Sequence, residues 1–216
     1  MRQRARSAGD KAQRSEDLLA AAEELILELG GVRYVTLAQV TERAGLHRTG
    51  VRRYYASKEE LLLELAERGW NQWRDAVAAE LKEGHPGSAA GVLSRTLIAL
   101  PVFCDLLTHV TLSLEGDVDV ERARRYKTNA FAAHDEMVGA LAAATTMTPA
   151  QLVDLIATAL ALASTLWQVA HPTPTLAGLY EQVPRWGHVA LDFAPHLTRL
   201  LEAAGRGLSQ APPAAG

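Results

Sequence analysis

The 216-residue chain reads as an all-α protein, with an N-terminal three-helix unit that contains a helix-turn-helix and a larger helical domain behind it. Three observations predict this. Apolar residues recur at three- and four-residue spacing through most of the chain. The apolar segments are cut by glycines and prolines of the kind that end or start helices: Gly30-Gly31, Gly45, Gly84-His85-Pro86-Gly87, Pro101, Pro149 and Pro172. No alternating strand pattern of any length appears.

Residues 1–14 are polar and basic, with Arg2, Arg4, Arg6, Lys11 and Arg14, and predict a flexible arm. A first helix begins near Ser15. Leu18, Ala22, Leu25, Ile26 and Leu29 make its apolar stripe, and Gly30-Gly31 ends it. Thr36 caps a second helix over 37–44, Gly45 breaks it, and a third short helix is expected over 47–55. Ser57-Lys58-Glu59-Glu60 fits a capping box opening a helix over 57–83, roughly 40 Å long. Further helices are expected over 89–100, 101–114 and 120–145. Thr148-Pro149-Ala150-Gln151 is a second capping box, and the helix behind it, 149–170, is apolar on most sides and expected to be buried. A short turn of helix over 175–182 and a last helix over 189–204 follow. The expected units are the arm 1–14, the helix-turn-helix domain 15–58, a helical domain 59–204 and a disordered tail 205–216 rich in Gly, Pro and Ala.

The net charge of −3 hides an asymmetry. Residues 1–58 carry 11 Lys/Arg against 7 Asp/Glu, a net +4, and residues 59–216 carry 11 against 18, a net −7. A basic head on an acidic body suits a head that meets a polyanion. The single cysteine, Cys104, excludes an intramolecular disulfide and suits a reducing compartment. No signal-peptide pattern and no uninterrupted apolar run of about 18 residues appears, so a cytoplasmic protein that engages no membrane is expected.

Residues 36–55, TLAQVTERAGLHRTGVRRYY, carry the function. Two short helices meet at a glycine, with Leu37, Val40, Ala44, Leu46, Val51 and Tyr54 spaced to share a small core. In such a helix-turn-helix the second helix lies in the DNA major groove. Its solvent face carries Arg48, Thr49, Arg52 and Arg53, the expected base contacts. Arginine pairs with guanine O6 and N7, and threonine meets thymine methyls. Thr36, His47, Tyr54 and Lys58 sit at the helix junctions, where side chains and helix N-termini reach phosphate oxygens. The bland alternative is a helical hairpin with a solvated basic face. For the arm, the alternatives are a solvated tail and arginines entering a minor groove.

A helix of about fifteen residues, the helix-turn-helix, then YYASKEELL opening a long helix resembles the TetR family of transcriptional repressors over residues 15–65. The stretch PVFCDLLTHVTLSLEG, 101–116, resembles one C-terminal subtype of that family. The resemblance implies a homodimer, double-stranded DNA as partner, and a small-molecule effector of unidentified structure bound in the larger domain. Effector binding would move the fourth helix and spoil the spacing of two recognition helices, which must stand about 34–36 Å apart. The sequence departs from the family pattern at His47, where a serine cap is usual, at Gly50 inside the recognition helix, at Arg52 in place of tyrosine, and at Thr41 where alanine is usual. These departures bear on the operator sequence more than on DNA binding.

In the larger domain, Cys104, His109, Phe131, His134, Trp167 and His171 are candidate lining for an apolar pocket with a few polar groups, and ordinary core packing is the alternative for each. Cys104, His109 and His134 match no compact metal-ligand spacing, so no metal and no cofactor is expected. Leu160, Leu166 and Val169, with Leu191, Leu197 and Leu201, are candidates for a dimer interface of two helices per subunit, the alternative being burial within one subunit. No nucleophile elbow, P-loop or dinucleotide glycine pattern appears, so no enzyme is expected. The competing function is a ligand-binding or protein-interaction module with a degenerate helix-turn-helix.

Overall fold

The computed structural model describes residues 2–47, 50–84, 87–189 and 192–210, with side chains from residue 9 onward except at 187–189. It is all-α, with no strand among the described residues. Helix α1 spans Arg2–Leu29, α2 Leu37–Arg43 and α3 Lys58–Lys82. Then follow α4 Ala89–Ile98, α5 Pro101–His109 with a π turn Val110–Leu114, α6 Val120–Ala144, α7 Pro149–Ala170, α8 Pro174–Gln182 and α9 Phe193–Gln210.

Local signals set most helix ends. Thr36 and Gln39 form a reciprocal capping box on α2, and Thr148 and Gln151 another on α7. Ser57 accepts from the Glu60 amide at 3.2 Å, but Glu60 reaches back to the Ala56 amide (2.6 Å), one residue further than a capping box requires. Gly30 and Gly45 turn the chain at positive φ, 77° and 66°, where a side chain would be strained.

Three segments differ from expectation. Residues 2–14 continue α1 instead of forming a flexible arm, because Arg, Gln, Ala and Lys propagate a helix already nucleated by the packed turns after Ser15. The third helix is represented only by a 3₁₀ turn, Val51–Arg53, residues 48–49 lying outside the described set. Gly50, a poor helix former, precedes it, and its amide closes a tight turn on the His47 carbonyl at 2.7 Å. The last helix begins at Phe193 and runs on to Gln210, six residues past the expected end at 204.

The N-terminal core gathers Leu18, Ala22 and Ile26 of α1, Val40 of α2, Val51, and Leu61 and Leu65 of α3. Tyr55 is also buried there, and its hydroxyl shares a 2.7 Å hydrogen bond with Ser15; burial pushes its pKa up to about 12. Thr41, 1 % exposed, is tolerated at its crossing because its hydroxyl donates to the Leu37 carbonyl (2.6 Å). Further along, α3 packs on α6 and crosses α5, while α9 packs on α4 and α7. The α3–α5 crossing is close: Gly69 faces Phe103, and a Cβ there would stand 2.6 Å from Phe103 Cγ. Trp70, Trp73 and Phe103 cluster with centroids 5.8 to 6.2 Å apart, and the Trp73 indole donates to Thr96 at 3.0 Å. Between α3 and α6 the Arg122 side chain, 2 % exposed, donates to Glu67 at 3.0 Å, and Asn129 donates to the same carboxylate.

Helix α7 is less buried than its composition suggests. It is long and apolar enough to cross a membrane by length and composition, yet only 33 % of its apolar stretch is buried in the subunit.

Candidate nucleic-acid interface and ligand cavities

Helix α2 and the turn at 51–53 are held by their own core, so the polar face between them is presented by a fixed frame. Arg52 and Arg53 are exposed on that face, while Val51 between Gly50 and Arg52 is 3 % exposed and anchors the turn. Arg48 and Thr49 lie outside the described residues. Tyr54 is half-buried against the core, and His47 is exposed. Thr36 is exposed, with its hydroxyl engaged in the capping box, donating to Gln39 at 2.7 Å. Lys58, expected at a phosphate, is instead turned inward. Its ammonium donates to the Val32 carbonyl (3.1 Å), and burial lowers its pKa. An ammonium has three N–H groups, so two remain for a phosphate.

The residues expected to line one pocket do not meet. Phe131 and His134 border a cavity of about 340 Å³ between α3, α6 and α7, together with Trp70, Tyr126, Ile156 and Leu160. Phe131 is 61 % exposed at its mouth. His134 Nδ1 donates to Asp135 (3.0 Å), which can only accept. At the back of the cavity the Trp70 indole donates to the Tyr126 hydroxyl at 3.1 Å, leaving the tyrosine hydrogen to be donated elsewhere. Trp167 and His171 border a separate cleft of about 170 Å³ near the end of α1. Cys104 lines neither. It is fully buried, its thiol donates to the Leu97 carbonyl, and burial pushes its pKa up to about 12, so it is a packing residue. His109 packs beside Asp105, with its Nε2 3.9 Å from that carboxylate. Among the described residues no three His, Cys, Asp or Glu side chains converge as a metal site would require.

The interface candidates divide as well. Leu197 and Leu201 are fully buried within the subunit, because the inner face of α9 packs on α4 and α7, so they have no surface left for a partner. Leu166 is 8 % exposed. Leu160 and Val169 are half-exposed, and Leu191 lies outside the described residues.

A group that sequence reading passed over ties the N-terminal helices to the rest. Asp105 on α5, 4 % exposed, accepts from the Val32 amide and from the Gln168 side chain, both at 2.7 Å. Arg33 donates to the other end of the same Gln168 amide. No local pattern marks Asp105, which sits in an apolar run as an isolated acid.

The family described as "Bacterial regulatory proteins, tetR family" matches residues 18–65, and that described as "Tetracyclin repressor-like, C-terminal domain" matches residues 67–212. The chain belongs to the TetR family. It is a transcription regulator of the TetR type, with a DNA-binding helix-turn-helix in α2 and the turn that follows. TetR-family proteins are regulators rather than enzymes. No curated protein matches the chain.

Proposed function

We propose that this TetR-family regulator is a ligand-responsive repressor that binds a palindromic or pseudo-palindromic operator as a homodimer. The observation that carries the reading is helix α3. It is one uninterrupted 25-residue helix, about 37 Å long. Its N-terminal part packs in the helix-turn-helix core through Leu61 and Leu65, and its middle, through Trp70, walls the 340 Å³ cavity. A ligand that displaces Trp70 therefore displaces the helix on which the DNA-reading unit is mounted.

In this reading Arg48, Thr49, Arg52 and Arg53 face base edges, and Thr36, His47, Tyr54 and Lys58 face phosphates. The effector is mostly apolar, with an acceptor for the Tyr126 hydroxyl. The exposed side of α7 that turns away from the cavity, through Leu162 and Val169, packs on a second copy. Burial against a partner accounts for a helix so apolar and so little buried in its own subunit. Two α7 and two α9 helices would form a four-helix interface around a two-fold axis.

Selection of bound fragments from random duplex DNA by the purified full chain tests the reading. The expected outcome is a site with two-fold symmetry. The Arg52→Ala variant should bind it more weakly and with relaxed preference at the base pair that Arg52 faces. Recovery of nothing above background from protein shown to be folded by circular dichroism would favour the binding-module alternative.

A further inference from the structure

The cleft of about 170 Å³ shares no lining residue with the effector cavity. Ile26 and Leu27 of α1 form one wall, Pro101 and Asp105 of α5 another, and Trp167 and His171 at the end of α7 the third. Leu27 is 60 % exposed, so the cleft reaches the surface at its rim. The two rings of the third wall stack with centroids 3.9 Å apart.

The charge balance at this cleft is unusual. Asp105 is 4 % exposed, yet among the described residues no lysine or arginine pairs with it directly. Two nearby cations are tied to other acceptors, Lys58 to the Val32 carbonyl and Arg33 to the Gln168 side-chain carbonyl. His109, 3.9 Å away, is held toward its neutral form by burial. A buried carboxylate is normally paired with a cation.

We propose that this cleft binds a small organic cation, an ammonium on an aromatic or short aliphatic body, with the ammonium against Asp105. The carboxylate retains acceptor sites beyond its two hydrogen bonds, since it can take about four. His171 Nδ1 donates to the Trp167 carbonyl (2.9 Å), which leaves Nε2 of the neutral ring as a second acceptor for the ammonium. The stacked rings add a π-rich wall that attracts cations, and Ile26, Leu27 and Pro101 cover the apolar body. The volume suits one ring, since an apolar cavity of roughly 150 Å³ holds benzene. The ligand touches α1 and the α5–α7 pair at once. It fixes the N-terminal helices against the rest of the subunit, and its binding is thermodynamically linked to that of DNA.

Titration calorimetry of the full chain, without DNA, with benzylammonium and with the uncharged benzyl alcohol tests this independently of the operator and of the effector cavity. The expected result is saturable binding of benzylammonium, at least ~10-fold tighter than the alcohol. Asp105→Asn should bring the two affinities together. Leu27→Arg changes an exposed rim residue and leaves the fold intact. It should weaken the ammonium several-fold more than the alcohol, and it decides alone if Asp105→Asn fails to fold. Absence of saturable binding, equal affinity for both probes, or a charge preference that survives Leu27→Arg would overturn the proposal.

Discussion

Replacing Asp105 by alanine should loosen the docking of the N-terminal helices on the rest of the subunit. The carboxylate accepts two hydrogen bonds of 2.7 Å, one from the Gln168 side chain and one from the Val32 amide. Gln168 is half-buried and can turn to water, whereas Val32 is 1 % exposed and its amide has no other acceptor at hand. Leaving that N–H buried and unpaired costs about 1–3 kcal/mol, and a hydrogen bond to a charged group contributes about 1.5–3 kcal/mol. Relief from burying the charge offsets part of the sum, so the net loss is about 3 kcal/mol. In a chain of this length 1 kcal/mol shifts Tm by about 2–4 °C, so Tm should fall by about 6–12 °C. Hydrogen–deuterium exchange supplies the local readout: peptides containing Val32 should lose protection, while those from the α4–α9 core keep theirs relative to the new global stability. Unchanged protection at Val32 with a Tm within about 2 °C of the parent would refute the assignment of Asp105 as the tie.

Gly69→Ala places a methyl group 2.6 Å from Phe103 Cγ at the α3–α5 crossing. It should destabilise by about 1–3 kcal/mol, read by urea denaturation. Glu67→Gln removes the nearer carboxylate from the buried Arg122 guanidinium, leaving only Glu64 at 3.9 Å, and should destabilise by roughly 2–4 kcal/mol. The double change Glu67→Leu with Arg122→Met should recover most of that loss, and denaturation of the parent and the two variants separates the effects. His109 is held below its ordinary pKa of 6.5, mainly by burial, with Asp105 opposing and Arg33 and Lys58 assisting. The unfolded chain therefore binds the proton first, so the contribution of His109 to stability is complete above about pH 6.5 and is lost as pH falls through that value toward the folded pKa. His109→Gln should flatten the fall in Tm between about pH 7 and about pH 5, and parallel Tm profiles for parent and variant would contradict this.

The sequence by itself determined where most of the helices from α2 to α8 start and stop, where the helix-turn-helix lies, and to which family the chain belongs. Thr36 with Gln39, Thr148 with Gln151, and the glycines after α1 and α2 act on backbone groups within a few residues, so their effect is written locally. Gly50 lies just as near to the 3₁₀ turn at Val51–Arg53, but its low helix propensity acts there only together with the tight turn on His47. Other features depended on how helices cross. Leu197 and Leu201 belong to the subunit core and Leu160 to a cavity wall, although all three look alike along their helices. The expected single pocket divides in two because α1, α5 and α7 enclose one space and α3, α6 and α7 another. Asp105 meets a backbone amide 73 residues away. Periodicity shows which face of a helix is apolar, but the partner of that face, and the group a buried charge meets, are set by interhelical packing over the whole chain.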